Sequence, residues 1–203
     1  MVATTTAAVL VPVKAFANAK RRLADALDPA ERRALAMAMA ATVIEAAGEL
    51  RTAVVCDDDE VRTWAEANGA EPIWTPELGL NGAVAAGVDH LAHRGVDRVV
   101  VAHADLPLAL DLAWLADGDG VTLVPDRHLD GTNVACVPAQ CGFIFAYGPA
   151  SFRAHRAEAA GRGLTTRLVP DPRLGWDVDV PADLLVPAEL GPPAYLLPAV
   201  PCP

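Results

Sequence analysis

A single α/β domain with a mainly parallel central sheet, helices on both faces and an antiparallel addition in its second half is the fold class that three observations predict. Short continuous apolar runs alternate with helical patterns, as strands buried on both faces require. The 203 residues suit one domain with a substantial core. Two apolar stretches lead into the same signature, Asp105-Leu106-Pro107 and Asp179-Val180-Pro181. In open α/β sheets the crevice beyond the carboxyl ends of the strands is where ligands bind, so carboxylates delivered there face it.

Each element follows from local chemistry. Residues 7–13 form the first buried strand. Asp28-Pro29-Ala30-Glu31 then reads as a helix start, with Asp as N-cap, Pro at the first helical position and Glu placed to close a capping box. That helix runs to about Ala47, and Gly48 stops it. Residues 52–56 are the next strand. Asp57-Asp58-Asp59-Glu60 sets negative charge at the following helix N-terminus, where it complements the helix dipole. Asn68-Gly69 ends this helix, residues 71–74 form a short strand, and residues 81–93 a third helix stopped by Gly95. Residues 97–102 are the central strand that delivers Asp105. Beyond Pro107, residues 121–125, 132–136 and 143–146 read as strands and residues 149–160 as a helix. Residues 1–190 form the domain. Residues 191–203 carry five prolines and read as an extended arm or frayed end that could pack on a neighbouring subunit.

Composition narrows the function. Sixteen basic against 26 acidic residues give a net charge of −10, which repels a phosphate backbone and argues against nucleic acid as a partner. No apolar stretch reaches the length of a membrane span, and Met1-Val2-Ala3-Thr4-Thr5-Thr6 lacks the charged start of a signal peptide, so a cytoplasmic protein is expected. Cys56, Cys136, Cys141 and Cys202 show no zinc-ligand spacing.

Taken singly, each Asp-x-Pro is ordinary turn chemistry. Three other segments shift the reading. The connection after the first strand carries Lys14, Lys20, Arg21 and Arg22, four cations in an acidic chain, and suits a polyphosphate. It has neither the Walker nor the dinucleotide-binding glycine pattern. Residues 125–133 are dense in polar and turn residues and end in Gly131-Thr132-Asn133, while Gly148 and Ser151 open a helix. Backbone donors at such places suit a second anion.

In this order and spacing, Val11-Pro12-Val13-Lys14, Lys20, Arg22-Leu23, Leu80-Asn81, Asp105-Leu106-Pro107 and Pro125-Asp126-Arg127 are joined by Gly131-Thr132-Asn133, Gly148-Pro149, Ser151-Phe152, His155, Asp177-Val178-Asp179, Pro181 and Asp183-Leu184. The chain thereby resembles, over about residues 7–186, the guanylyltransferase family of coenzyme F420 biosynthesis. Members of that family join GMP to 2-phospho-L-lactate, phosphoenolpyruvate or 3-phospho-D-glycerate. The resemblance implies a compact nucleotidyltransferase fold of the nucleotide-diphospho-sugar transferase type. It implies that Asp105 and Asp179 hold Mg²⁺, that Lys14, Lys20 and Arg22 meet the triphosphate of GTP, with Lys20 also catalytic, and that Asn81 contacts guanine or ribose. Thr132, Gly148 and Ser151 match the positions that grip the phosphorylated three-carbon acid. Ala104 stands where the family usually has glycine, and Ala150 where Gly or Asp is common.

A phosphomonoester acceptor is largely dianionic near neutral pH, its second pKa being about 6, so attack on the α-phosphorus needs no general base. The task is to bring two anions together, which two carboxylates with Mg²⁺ and a basic loop can do. Three alternatives stay open from the sequence: another small nucleotidyltransferase acting on a sugar phosphate or a molybdenum cofactor, a glycosyltransferase using Asp177-Val178-Asp179, and a non-catalytic nucleotide-binding module.

Overall fold

The computed structural model describes residues 5–196. Met1 to Thr4, and the part of the Pro-rich arm from Leu197 onward with Cys202, lie outside them. Seven strands form one sheet: β1 (Ala7–Pro12), β2 (Arg51–Cys56), β3 (Glu71–Trp74), β4 (Arg98–Ala102), β5 (Val121–Pro125), β6 (Thr132–Pro138) and β7 (Thr166–Leu168). Their spatial order is β3-β2-β1-β4-β6-β5-β7. β1 pairs in parallel with β2 on one side and with β4 on the other, so the winding of the sheet reverses between β1 and β4. β6 alone runs against its neighbours, pairing antiparallel with β4 and β5. The start of β6 therefore lies at the same edge as the ends of β1 and β4.

Four helices cover the sheet: α1 (Pro29–Glu45), α2 (Asp59–Ala67), α3 (Gly79–His93) and α4 (Ser151–Gly161). Successive residues of a strand point to opposite faces. Val9, Val11, Val54 and Val100 meet Ala36, Ala40, Val43, Val61 and Ala65 of α1 and α2. Ala8, Leu10, Ala53, Val55, Val99 and Val101 meet Val84, Val88, Leu91, Phe152 and Ala159 of α3 and α4. The expected capping box of α1 is present, with Asp28 accepting from Glu31 N–H and Glu31 accepting from Asp28 N–H. α3 packs close against the sheet because Gly87 has no side chain: a Cβ there would sit 2.7 Å from both Leu10 and Val55 methyls.

The structure departs from the sequence reading in several places, and α1 ends at Glu45, two residues before the expected Ala47. α3 begins at Gly79, two residues before the expected Asn81. α4 begins at Ser151, after rather than at Pro149. Residues 143–147 alternate buried and exposed as a strand would, yet pair with no strand. Their amides are taken by side chains instead: Ile144 N–H donates to Glu158, Ala146 N–H to His155 and Tyr147 N–H to Asn81. β7, three exposed residues at the sheet edge, has too little apolar content to be seen in the sequence. The stretch leading to Asp179 is an irregular loop and not a strand. The described start of the Pro-rich arm folds back on its own domain, where the Tyr195 hydroxyl lies 2.9 Å from that of Thr42 and Leu196 packs with Leu23 and Val178.

Candidate active site

The reversal of winding between β1 and β4 opens a crevice at their carboxyl ends, the expected ligand position in such a sheet. A cleft of about 740 Å³ lies there, lined among others by Lys14, Lys20, Arg22, His103, Asp105 and Asp179. Two short helical turns, Phe16–Asn18 and Arg21–Leu23, shape the basic loop after β1. Lys20 separates them in a left-handed conformation, φ 51° and ψ 40°, which is costly for a residue with a side chain.

That conformation aims the Lys20 ammonium at both aspartates. Nζ donates to Asp105 Oδ2 at 2.7 Å and to Asp179 Oδ1 at 3.1 Å. Arg22 reaches Asp179 Oδ2 at 3.6 Å from a largely exposed position. Lys14 is exposed at the cleft. Burial is the largest influence on Lys20 and disfavours its charge, but the two carboxylates outweigh it and hold the ammonium above its ordinary value. Burial likewise pushes the Asp105 carboxyl up, and the Lys20 charge and hydrogen bond overcome it, leaving Asp105 below its usual range. Burial pushes the His103 imidazole below its ordinary value. Asp177 is raised by burial first and by the Asp105 charge second.

Asp105 Oδ1 is buried and has no hydrogen-bond partner. A carboxylate oxygen left so beside a second carboxylate is a donor set for a hard cation such as Mg²⁺, which takes oxygen ligands and keeps several waters. Among the described residues no cluster of three or more His, Cys, Asp or Glu is placed to hold a metal. Two protein carboxylates with phosphate and water oxygens are the set this site can offer.

A third, small core holds the parts together. Leu23 from the basic loop, Leu35 and Met39 from α1, and Val178 from the Asp179 loop are all buried against one another. The basic loop and the Asp179 loop are thus joined by apolar contact as well as by charge.

The other residues expected at the site lie elsewhere. Thr132 and Ser151 are buried at the start of β6 and of α4, with Thr132 N–H donating to Ser151 Oγ at 3.0 Å. His155 accepts the Ala146 N–H at Nε2, 2.9 Å away, which places its proton on Nδ1. Nδ1 then donates to Thr132 Oγ1 at 3.0 Å. Gly148 is exposed beside them with φ 137°, a conformation open to glycine. Asn81 is occupied by the backbone of Tyr147, accepting its N–H at 2.7 Å and donating to its carbonyl at 3.2 Å. None of these five residues lines the cleft. Polar residues here satisfy buried backbone, a use that sequence cannot distinguish from ligand contact.

The sequence reading assigned no role to Arg127 and Asp183, which form an ion pair between a half-buried guanidinium and a buried carboxylate next to Asp179. The available signal was Asp183 two residues past Pro181, the spacing at which a carboxylate turns back on the amides before a helical turn.

A family model described as "Guanylyl transferase CofC like" matches residues 7–187. The phosphoenolpyruvate guanylyltransferase of Sphaerobacter thermophilus is 38% identical over 188 residues, spanning 88% of this chain and 91% of the relative. The 2-phospho-L-lactate guanylyltransferase of Haloterrigena turkmenica is 37% identical over 192 residues, spanning 87% and 81%. Among solved structures, a nucleotidyl transferase from a Methanothermobacter species superposes with a TM-score of 0.62 over 90% of this chain and 95% of that one, at 15% identity. At that identity the likeness is one of fold.

Proposed function

This chain belongs to the CofC-like guanylyl transferase family, and from that membership we propose that it transfers GMP from GTP to phosphoenolpyruvate or 2-phospho-L-lactate, releasing pyrophosphate, in coenzyme F420 biosynthesis. It is a nucleotidyltransferase. Phosphoenolpyruvate is the acceptor put first, because it is the one named for the Sphaerobacter relative; 3-phospho-D-glycerate is the third acid to try.

The observation that carries this reading is the convergence of Lys20, Asp105 and Asp179 at the mouth of the cleft, with separations of 2.7 and 3.1 Å. A phosphate oxygen of the acceptor forms the new bond to the α-phosphorus, and the bond from that phosphorus to the bridging oxygen of pyrophosphate breaks. Charge is conserved without a proton transfer, since the acceptor phosphate is already largely dianionic. Lys20, Lys14 and Arg22 offset the charge of the triphosphate and of the departing pyrophosphate. Asp105 and Asp179 would hold Mg²⁺, which when bound supplies charge stabilisation at the α-phosphate and leaving group. The unpartnered Asp105 oxygen supports this assignment. Gly148, exposed just before α4, is the residue left to meet the acceptor.

Incubation with GTP, Mg²⁺ and each of the three phospho-acids, followed by pyrophosphate release, tests the proposal. Release with phosphoenolpyruvate or 2-phospho-L-lactate is the expected result. Silence with all three acids in folded protein would overturn it.

A further inference from the structure

The Asp179 loop lies outside the sheet, so no ladder of backbone hydrogen bonds fixes the carboxylate. We infer that Asp183 and Arg127 form a clamp that sets the position of Asp179, acting as positioning residues for the transfer reaction. The inference rests on the reading of Asp179 as a metal-holding carboxylate.

Asp183 is 4% exposed, and both of its oxygens are used. Oδ2 accepts the N–H of Asp179 at 2.7 Å and that of Val180 at 2.8 Å. Oδ1 accepts from the Arg127 guanidinium. Arg127 also donates to the Asp177 carbonyl at 2.9 Å, and its guanidinium lies 4.5 Å from the ring centre of Trp176. The Trp176 indole N–H returns to the Asp183 carbonyl at 3.0 Å. At the near end of the loop, Arg127 N–H donates to the Gly175 carbonyl at 2.9 Å. A Cβ on Gly175 would come within 2.9 Å of the Asp171 carbonyl, so the chain passes there with no room to spare.

These contacts bracket the segment from Gly175 to Val180 at both ends. They also require the residue types present. An oxygen receiving two N–H groups while its partner receives a guanidinium must belong to an acceptor-only group, which Asn is not. A planar fork is needed to reach Asp183 and the Asp177 carbonyl together, which an ammonium does less well. The pair is neutral as a whole and neither residue lines the cleft, so its effect on the site is geometric. With the amides of residues 179 and 180 tied back to Asp183, the Asp179 side chain is left to meet Lys20 at 3.1 Å.

The test measures Asp183→Asn, Arg127→Lys and Asp179→Asn in the full chain beside wild type. The readouts are pyrophosphate release against Mg²⁺ concentration, Mn²⁺ binding by electron paramagnetic resonance with a non-hydrolysable GTP analogue, and far-ultraviolet circular dichroism. The clamp predicts that Asp183→Asn loses about 10–100-fold in kcat and in Mn²⁺ affinity, and that added Mg²⁺ partly restores the rate. Arg127→Lys moves both in the same direction by less, and it decides the matter if Asp183→Asn does not fold. A purely structural pair would lower the melting temperature and leave kcat and Mn²⁺ affinity unchanged; that result in a folded variant overturns the clamp. Should Asp179→Asn be inactive while Asp183→Asn behaves as wild type, the clamp alone fails. Full turnover in Asp179→Asn would remove the role of Asp179, and the clamp with it.

Discussion

Val178 donates its backbone N–H to the carbonyl of Asp105 at 3.2 Å, and that bond ties the loop after β4 to the loop that carries Asp179. The two aspartates are 74 positions apart in sequence, yet Val178 is buried against Leu23 of the basic loop on one side and bonded to Asp105 on the other. The site is assembled around this residue, which has no chemistry of its own.

Asp105 should tolerate substitution least. Asp105→Asn keeps the shape but removes the charge that faces Lys20 at 2.7 Å. A fall in turnover of at least about 100-fold is expected, with circular dichroism unchanged. Pyrophosphate release at saturating GTP and acceptor measures it.

A divalent cation held as proposed would compete with Lys20 for the same two carboxylates. Lys20→Ala should lose about 100-fold or more in turnover, yet Mg²⁺ should raise its melting temperature more than that of wild type. A ligand stabilises the folded state according to its affinity, and removing the ammonium leaves both oxygens open to the metal. Thermal unfolding with and without MgCl₂, in the absence of nucleotide, gives the comparison; an equal shift in both proteins would contradict it.

Asn81 acts on stability before any nucleotide arrives. Asn81→Ala strips the hydrogen bonds from Tyr147 N–H and C=O, which costs about 1–3 kcal/mol when a buried group is left unpaired. The nucleotide-free variant should therefore melt several degrees below wild type. A residue that served only guanine or ribose would change GTP affinity and leave this value alone.

Burial pushes the His155 imidazole down to about 4 from its ordinary 6.5. The folded protein thus keeps it neutral where the unfolded chain protonates it, so unfolding takes up a proton as pH falls below 6.5. The resulting stability is fully present above pH 6.5 and is lost progressively between 6.5 and about 4. Denaturant unfolding across that window should slope less steeply in His155→Asn than in wild type.

Gly87→Ala should destabilise the domain by about 1–3 kcal/mol through overpacking, because its Cβ would meet Leu10 and Val55 in the sheet. The midpoint of urea unfolding reports it.

Much of this was legible in the sequence. Apolar periodicity located six of the seven strands and all four helices, and Asp28 with Glu31 announced the capping box that the structure contains. That Asp105 and Asp179 face one crevice followed from where α/β connections emerge, whereas the ion pairs Lys20 makes with both of them were not foreseen. The rest was hidden for physical reasons. Residues 143–147 have the right period for a strand, but Asn81, His155 and Glu158 take the amides that a neighbour would have taken. Thr132 and Ser151 look like ligand donors until their partners are seen to be each other and His155. Arg127 and Asp183 lie 56 positions apart, and only the folded chain brings them together.

The reversed direction of β6 has a mechanical consequence. The basic loop and Asp105 follow β1 and β4, whereas Thr132 opens β6, and the ladder between β4 and β6 joins them through the centre of the sheet. A change in the twist of that ladder would alter the spacing between Asp105 and Thr132, and so how closely a nucleotide and an acceptor could be held. Substitutions that change side-chain volume at Val100 or Cys136, paired across it at the centre of the sheet, would act on this spacing from a distance.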